Sequence, residues 1–211
     1  AIGMQIMVKS FSHTLNAHLE KQLSADIYLR SDKLDNNLRQ TLSNLSDVEK
    51  LSIYMESDGM VNNIPASLAS FGEDFKHYQH ISLTSGLTIS HDNFTEKGCL
   101  ANEQSKIKFG FSLNDVAVFE QNATKFSCRI TGFFYDYGNP SISLLTLEKR
   151  QKTAALNHDI FGYSIRIKSS ASVAAFSERL INEFKQDSTK ILPNKRFKKI
   201  ANALFEDTFV V

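Results

Sequence analysis

The apolar residues of this chain change period twice, and the order of those changes restricts the folds open to it. From Met4 to Leu23 they fall at Met4, Met7, Val8, Phe11, Leu15, Leu19 and Leu23, the three- and four-residue steps of one helix face. At about 1.5 Å per residue such a helix is roughly 30 Å long. The strand-like stretch Asp26-Ile27-Tyr28-Leu29-Arg30 follows, then a short helix with Leu34, Leu38, Leu42 and Leu45 that Ser31-Asp32 can cap, then the alternating run Lys50 to Glu56.

Around Ser57-Asp58-Gly59 the pattern turns to short β-type runs, centred on Val61 to Leu68 and Gln79 to Ile89, with loop chemistry at Phe71-Gly72-Glu73-Asp74. Gly98-Cys99-Leu100 leads into a helix-like Asn102 to Phe109 that Gly110 can stop. Asp115 to Glu120 and Lys125 to Tyr135, joined by Gln121-Asn122-Ala123-Thr124, read as a hairpin. The helical period then returns: a strand from Tyr163 to Lys168, a helix with Val173, Phe176, Leu180, Ile181 and Phe184 on one side, and, beyond Pro193-Asn194, a helix carrying Phe197, Ile200, Ala201, Leu204 and Phe205. The expected class is therefore α+β. Residues 1–57 and 159–211 form one α/β subdomain, into which a β-rich subdomain, 58–158, is inserted.

Composition narrows the function. With 211 residues and a net charge of +1, the chain is large enough for one or two cores and has no global pull toward nucleic acid. No stretch approaches the roughly 18 consecutive apolar residues of a spanning helix. The apolar-faced helical patterns at both ends are expected to belong to a longer, membrane-anchored protein, continuing toward the bilayer. Cys99 and Cys128 fit either one disulfide or two buried thiols.

Motif chemistry is sparse. Gly-x-Gly-x-x-Gly and Gly-x-x-x-x-Gly-Lys-Ser/Thr are absent, so no backbone cradle for a nucleotide is expected. Gly-x-Ser-x-Gly and His-Glu-x-x-His are absent too, and no spacing supplies a nucleophile, base and orienting group together. The chain is expected not to be an enzyme. His77 and His80 would need further ligands to hold a metal, and none is expected. Glu73-Asp74 and Glu206-Asp207 are neighbours whose side chains diverge, which is how solvated surface charge reads. Lys195-Arg196-Phe197-Lys198-Lys199 is the strongest local basic signal and reads as solvated or headgroup-facing surface. The sequons at Asn44, Asn93 and Asn122 read as incidental. In Phe133-Phe134-Tyr135-Asp136-Tyr137-Gly138-Asn139-Pro140, core packing accounts for Phe133 or Phe134, while the turn with Tyr137, Asn139 and Pro140 is the candidate partner surface.

Three stretches carry a family resemblance. They are Gly3 to Phe11 with Leu23 to Leu29; Cys99 to Glu103 through Phe111 to Val118 and Cys128 to Gly138; and Ile200 to Phe209. In this order the chain resembles the extracytoplasmic domain of an FtsX-like or MacB-like ABC transporter permease. Asn114 stands where the family's Leu-x-x-Gly-Asp turn more often has Gly. The resemblance implies a membrane-proximal "Porter" part and an inserted "Sabre" part. It also implies a place outside the bacterial inner membrane, in the periplasm, with ATP bound by a separate cytoplasmic ATPase and no cofactor in this domain.

The partners implied are that ATPase, a second permease copy or paralogue, and a periplasmic adaptor, lipoprotein or peptide, with no nucleic acid. Met4, Met7, Phe11, Leu15, Leu204, Phe205 and Phe209 become candidate stalk and membrane-junction residues, through which ATP-driven motion would pass to the outside. The competing reading is a membrane-anchored extracellular ligand-binding or sensory module.

Overall fold

The computed structural model describes residues 25–31, 35–71, 78, 83–84, 94, 96–136, 140–158 and 160–209. These residues form two compact units: 25–54 with 160–209, and 55–158. The expected helix from Met4 to Leu23, the loop at 72–74, most of the run 79–89, and His77 and His80 lie outside the described residues.

In the first unit the strands run in the order β2–β8–β1–β9, with β1 at Ile27–Ser31, β2 at Val48–Val61, β8 at Ile160–Ile167 and β9 at Ile191–Pro193. Strand β1 is antiparallel to both β8 and β9. Ile27, Tyr28 and Leu29 are all buried, because apolar groups cover both faces of this central strand. The Tyr28 ring stacks on Phe197 with centroids 4.5 Å apart. Just before β1, the Asp26 carboxylate accepts from Ile167 N (2.8 Å), and its backbone carbonyl accepts from Asn194 N (2.9 Å).

Helix α1 spans Asn36–Ser43. Its cap is Asp35, whose Oδ1 accepts from Asn37 N and Leu38 N, rather than Ser31-Asp32; Ser31 belongs to β1. Of the expected leucine stripe, Leu42 is buried while Leu38 and Leu45 are half-buried. Helix α4, Val173–Asn182, is capped by Ser172 and buries Phe176 and Leu180. Pro193 ends β9, and α5, Asn194–Phe209, follows directly, as the sequence leads one to expect.

The second unit contains the remainder of β2, then β3 (Ile64–Phe71), β4 (Gly98–Asn102), α2 (Glu103–Ile107), β5 (Val116–Gln121), β6 (Thr124–Phe134), β7 (Ile142–Leu145) and α3 (Glu148–Thr153). The pairings run β3–β7–β4–β6–β5–β2, and β2 pairs again with β3. Six strands thus close into a ring of pairings, which removes the free edges an open sheet would carry. Two of the pairings, β4–β6 and β3–β7, are parallel.

Inside the ring lies an apolar cluster that includes Leu68, Phe119, Ile130, Phe133 and Leu144. Cys99 and Cys128 sit within it as a disulfide, with Cα atoms 5.7 Å apart, which resolves the alternative left open by the cysteine count.

The change of pattern around Ser57-Asp58-Gly59 does not interrupt the strand; β2 runs through it. Gly59 serves a close approach instead. A Cβ there would lie 2.4 Å from Glu120 O and 2.6 Å from the Phe119 ring on β5. The reversal comes at Asn62-Asn63, both with positive φ (52° and 62°), the two-residue turn whose twist matches paired strands. It splits the run read as continuous from Val61 to Leu68. Asn122 (φ 53°) turns the β5–β6 hairpin where the sequence placed it, and Asn114 (φ 70°) holds the left-handed conformation that glycine adopts most readily and asparagine tolerates.

Candidate functional site

Leu204, Phe205 and Phe209 all fall in the last turns of α5. Met4, Met7, Phe11 and Leu15 lie outside the described residues. At the start of α5, Phe197 is buried against Tyr28. At 3.6 residues per turn, Lys195, Arg196, Lys198 and Lys199 each stand 100° or more around the helix from Phe197, and all four are exposed. No acidic residue occupies that first turn.

Of the candidate partner surface, Tyr137 and Asn139 lie outside the described residues and Pro140 is exposed. Both ends of the segment are anchored. Before it, Phe133, Phe134 and Asp136 are buried, so both phenylalanines, not one, serve the core. After it, fully buried Asn102 donates through Nδ2 to Ser141 O (2.8 Å), while its Oδ1 accepts from Ser143 N (3.1 Å) and from the Ser105 hydroxyl. One side chain thereby ties the end of β4, the first turn of α2 and the entry to β7. The residues flanking 137–139 are thereby held rigidly.

Sequence reasoning missed a second polar group. Gln151 on α3 donates from Nε2 to Leu68 O (2.9 Å) and to Ser57 Oγ (3.3 Å), and Ser57 Oγ lies 3.1 Å from His158 Nδ1. A serine beside a histidine is the start of a nucleophilic pair. Here, however, Ser57 is fully buried and its oxygen is occupied by an amide, so the pair joins β2 to the chain after α3. Beside α3 a depression of about 560 Å³ is lined by Glu148, Lys149, Lys152 and Thr153, with Glu148 paired to Lys152 at 2.6 Å.

Arg150, on the same helix, donates from Nη1 to Gly98 O and to Thr146 Oγ1 (3.2 Å), and from Nη2 to Ser127 O (3.4 Å); its guanidinium lies 5.1 Å from the Phe126 ring centroid. Burial pushes its pKa down from the ordinary arginine value. None of these residues was marked by spacing, because they converge from strands far apart in the chain. Among the described residues no cluster of His, Cys, Asp and Glu could hold a metal, and no helix is long and apolar enough to cross a membrane.

No protein-family model matches the chain, and no curated protein matches it by sequence. Solved structures do. The periplasmic region of MacB from Actinobacillus actinomycetemcomitans superposes with a TM-score of 0.55 at 15% identity, over 83% of this chain and 91% of that region. The chain has the fold of the MacB periplasmic region. Also similar are the extracellular domain of the noncanonic ABC-type transporter YknZ from Gram-positive bacteria (TM-score 0.49, 9% identity, 80% of this chain, 98% of that one) and a permease-protein domain from Porphyromonas gingivalis (TM-score 0.43, 15% identity, 81% and 91%). The MacB-like fold is α+β, as the sequence leads one to expect.

Proposed function

We propose that this chain is the extracytoplasmic domain of a MacB-like ABC transporter permease. In this reading it is not itself an enzyme. It converts ATP hydrolysis by a separate cytoplasmic ATPase into movement outside the membrane. The observation that carries the proposal is the likeness to MacB, which extends over 91% of that periplasmic region. A buried disulfide agrees with an oxidising compartment outside the cytoplasm.

Helix α5 is one arm of the mechanism. Its start is locked to β1 through Phe197 and Tyr28, so a shift of its far end at Leu204, Phe205 and Phe209 would be passed to the strands as a rigid-body displacement. A second permease copy would supply the facing arm. The segment 137–140, held at the base by Asn102, is the proposed contact for an adaptor, lipoprotein or peptide.

The test is purification of the full-length protein from membranes, with Cys introduced at Leu204 to report copy-to-copy crosslinking. Recovery of an ABC ATPase, with a crosslink yield that changes between ATP-bound and nucleotide-free states, is the expected result. Recovery of no ATPase, together with saturable binding of a small metabolite, would replace the proposal with the sensory module.

A further inference from the structure

Arg150 and the disulfide span the same diagonal of one strand pair. Strands β4 and β6 are parallel, with Gly98 opposite Arg129 and Cys99 opposite Ile130; the register then shifts between Cys99 and Leu100. Cys128 is two residues short of the partner of Cys99, so the disulfide crosses the ladder obliquely. The guanidinium crosses with the same offset, one residue earlier on each strand, since it binds the carbonyls of Gly98 and Ser127. It is held in place by Thr146 and by the Phe126 ring, and no carboxylate pairs with it among the described residues. The guanidinium is half-buried, and its planar fork bonds two carbonyls at once, so it holds them in a fixed relation.

We propose that Arg150 is a positioning residue for the Cys99–Cys128 bond: by gripping Gly98 O and Ser127 O it fixes the oblique register of β4 on β6 and keeps the two sulfurs adjacent when the bond is reduced. The irregularity beside Cys99 is where such a clamp is needed, because a one-residue slip would turn one cysteine to the other face of the sheet. Oxidation then proceeds by two exchanges with a disulfide oxidant such as oxidised glutathione. One cysteine thiolate attacks the oxidant, forms a protein–glutathione disulfide and expels a glutathione thiolate. The second cysteine thiolate attacks the protein sulfur of that mixed disulfide, closes Cys99–Cys128 and expels the second glutathione thiolate. Two electrons pass from the protein dithiol to the oxidant, and the two thiol protons leave to solvent or to the departing thiolates.

The measurement is the thiol–disulfide equilibrium of the 211-residue chain against defined ratios of reduced and oxidised glutathione, read by alkylation and intact mass. It needs neither ATPase nor membrane, so it stands apart from the test of function. A residue that stabilises the reduced and oxidised folds equally leaves this equilibrium where it is; one that keeps the sulfurs together does not. Arg150→Gln is expected to make the disulfide about tenfold easier to reduce, which is about 30 mV for a two-electron couple. Arg150→Lys, whose single ammonium cannot span both carbonyls, is expected to fall between Gln and the parent and also covers the case in which Arg150→Gln does not fold. Leu156→Ala, a core truncation on neither strand, serves as the matched destabilised control and is expected to leave the equilibrium within twofold. An unchanged equilibrium in the Arg150 variants, or an equal shift in Leu156→Ala, would overturn the assignment.

Discussion

The two units solve the same problem, holding together strands distant in sequence, by different means. In the first, β1 pairs with β8 and β9, more than a hundred residues away, and apart from the Asp26 hydrogen bonds the arrangement rests mainly on apolar contact: Ile27, Tyr28 and Leu29 buried, Phe197 stacked on Tyr28, Phe176 and Leu180 on the buried side of α4. Its strand order is open, ending at the short β9, whose terminal Pro193 discourages further pairing. In the second, six strands close on one another, and directional bonds fix the ring from within: the disulfide, the Asn102 clamp, Arg150, and Gln151 with Ser57. Apolar contact is non-directional, whereas a disulfide and hydrogen-bonded side chains fix which atoms meet. The shape of the first unit therefore depends on packing, and that of the second on particular bonds.

That contrast can be broken most directly at Phe197. Replacing it with Ala should cost about 4 kcal/mol and speed hydrogen exchange in β1 and β9, with the β4–β6 amides unaffected; equal loosening of both units would erase the distinction. The mirror experiment replaces Cys99 and Cys128 together by Ser. With a sequence separation of 29, loss of the crosslink should cost about 3.5 kcal/mol in urea unfolding, with faster exchange confined to β4, β5 and β6. Asn102→Ala should cost roughly 2 kcal/mol, because it leaves the Ser143 amide and the Ser141 carbonyl without their side-chain partner; accelerated exchange at Ser143 is its specific sign.

The smallest effect is expected from acid. In the first unit, Arg179 bonding holds the Glu183 carboxyl below its ordinary range, and the Thr189 amide, with its hydroxyl, does the same for Asp187. Both titrate lower in the folded chain than in the unfolded one. Their contribution is therefore complete above the ordinary carboxylate range and disappears as the pH falls through the depressed folded-state values. A shallow drop in the melting temperature over that acidic interval, flattened by Glu183→Gln with Asp187→Asn, is the expected reading.

Periodic elements were legible in the sequence. The strand near Tyr163, the α4 stripe and the Pro193-Asn194 break all occur where their patterns place them, since burial of one face dictates both pattern and structure. What the sequence concealed has physical causes. Gly59 looks like a turn residue but is a space-saving one, and the true reversal uses two asparagines with no glycine. Strand β7 is four consecutive buried residues with no alternation to detect, and β9 is only three residues long. Of the candidate site, the aromatic anchor before residue 137 could be read from composition. Asn102, Arg150 and Gln151 could not, because ordinary polar residues become clamps only when closure of the ring brings their acceptors to them.

Gly59 also bears on how such a chain diverges. Any side chain at that position meets the backbone of β5, so the site admits no gradual replacement, while much of the surrounding strand can exchange one apolar residue for another. The fold is thereby specified by a few crowded positions and many tolerant ones. Architecture specified in this way constrains the letters only loosely, which is compatible with one fold shared at 15% identity over most of two chains.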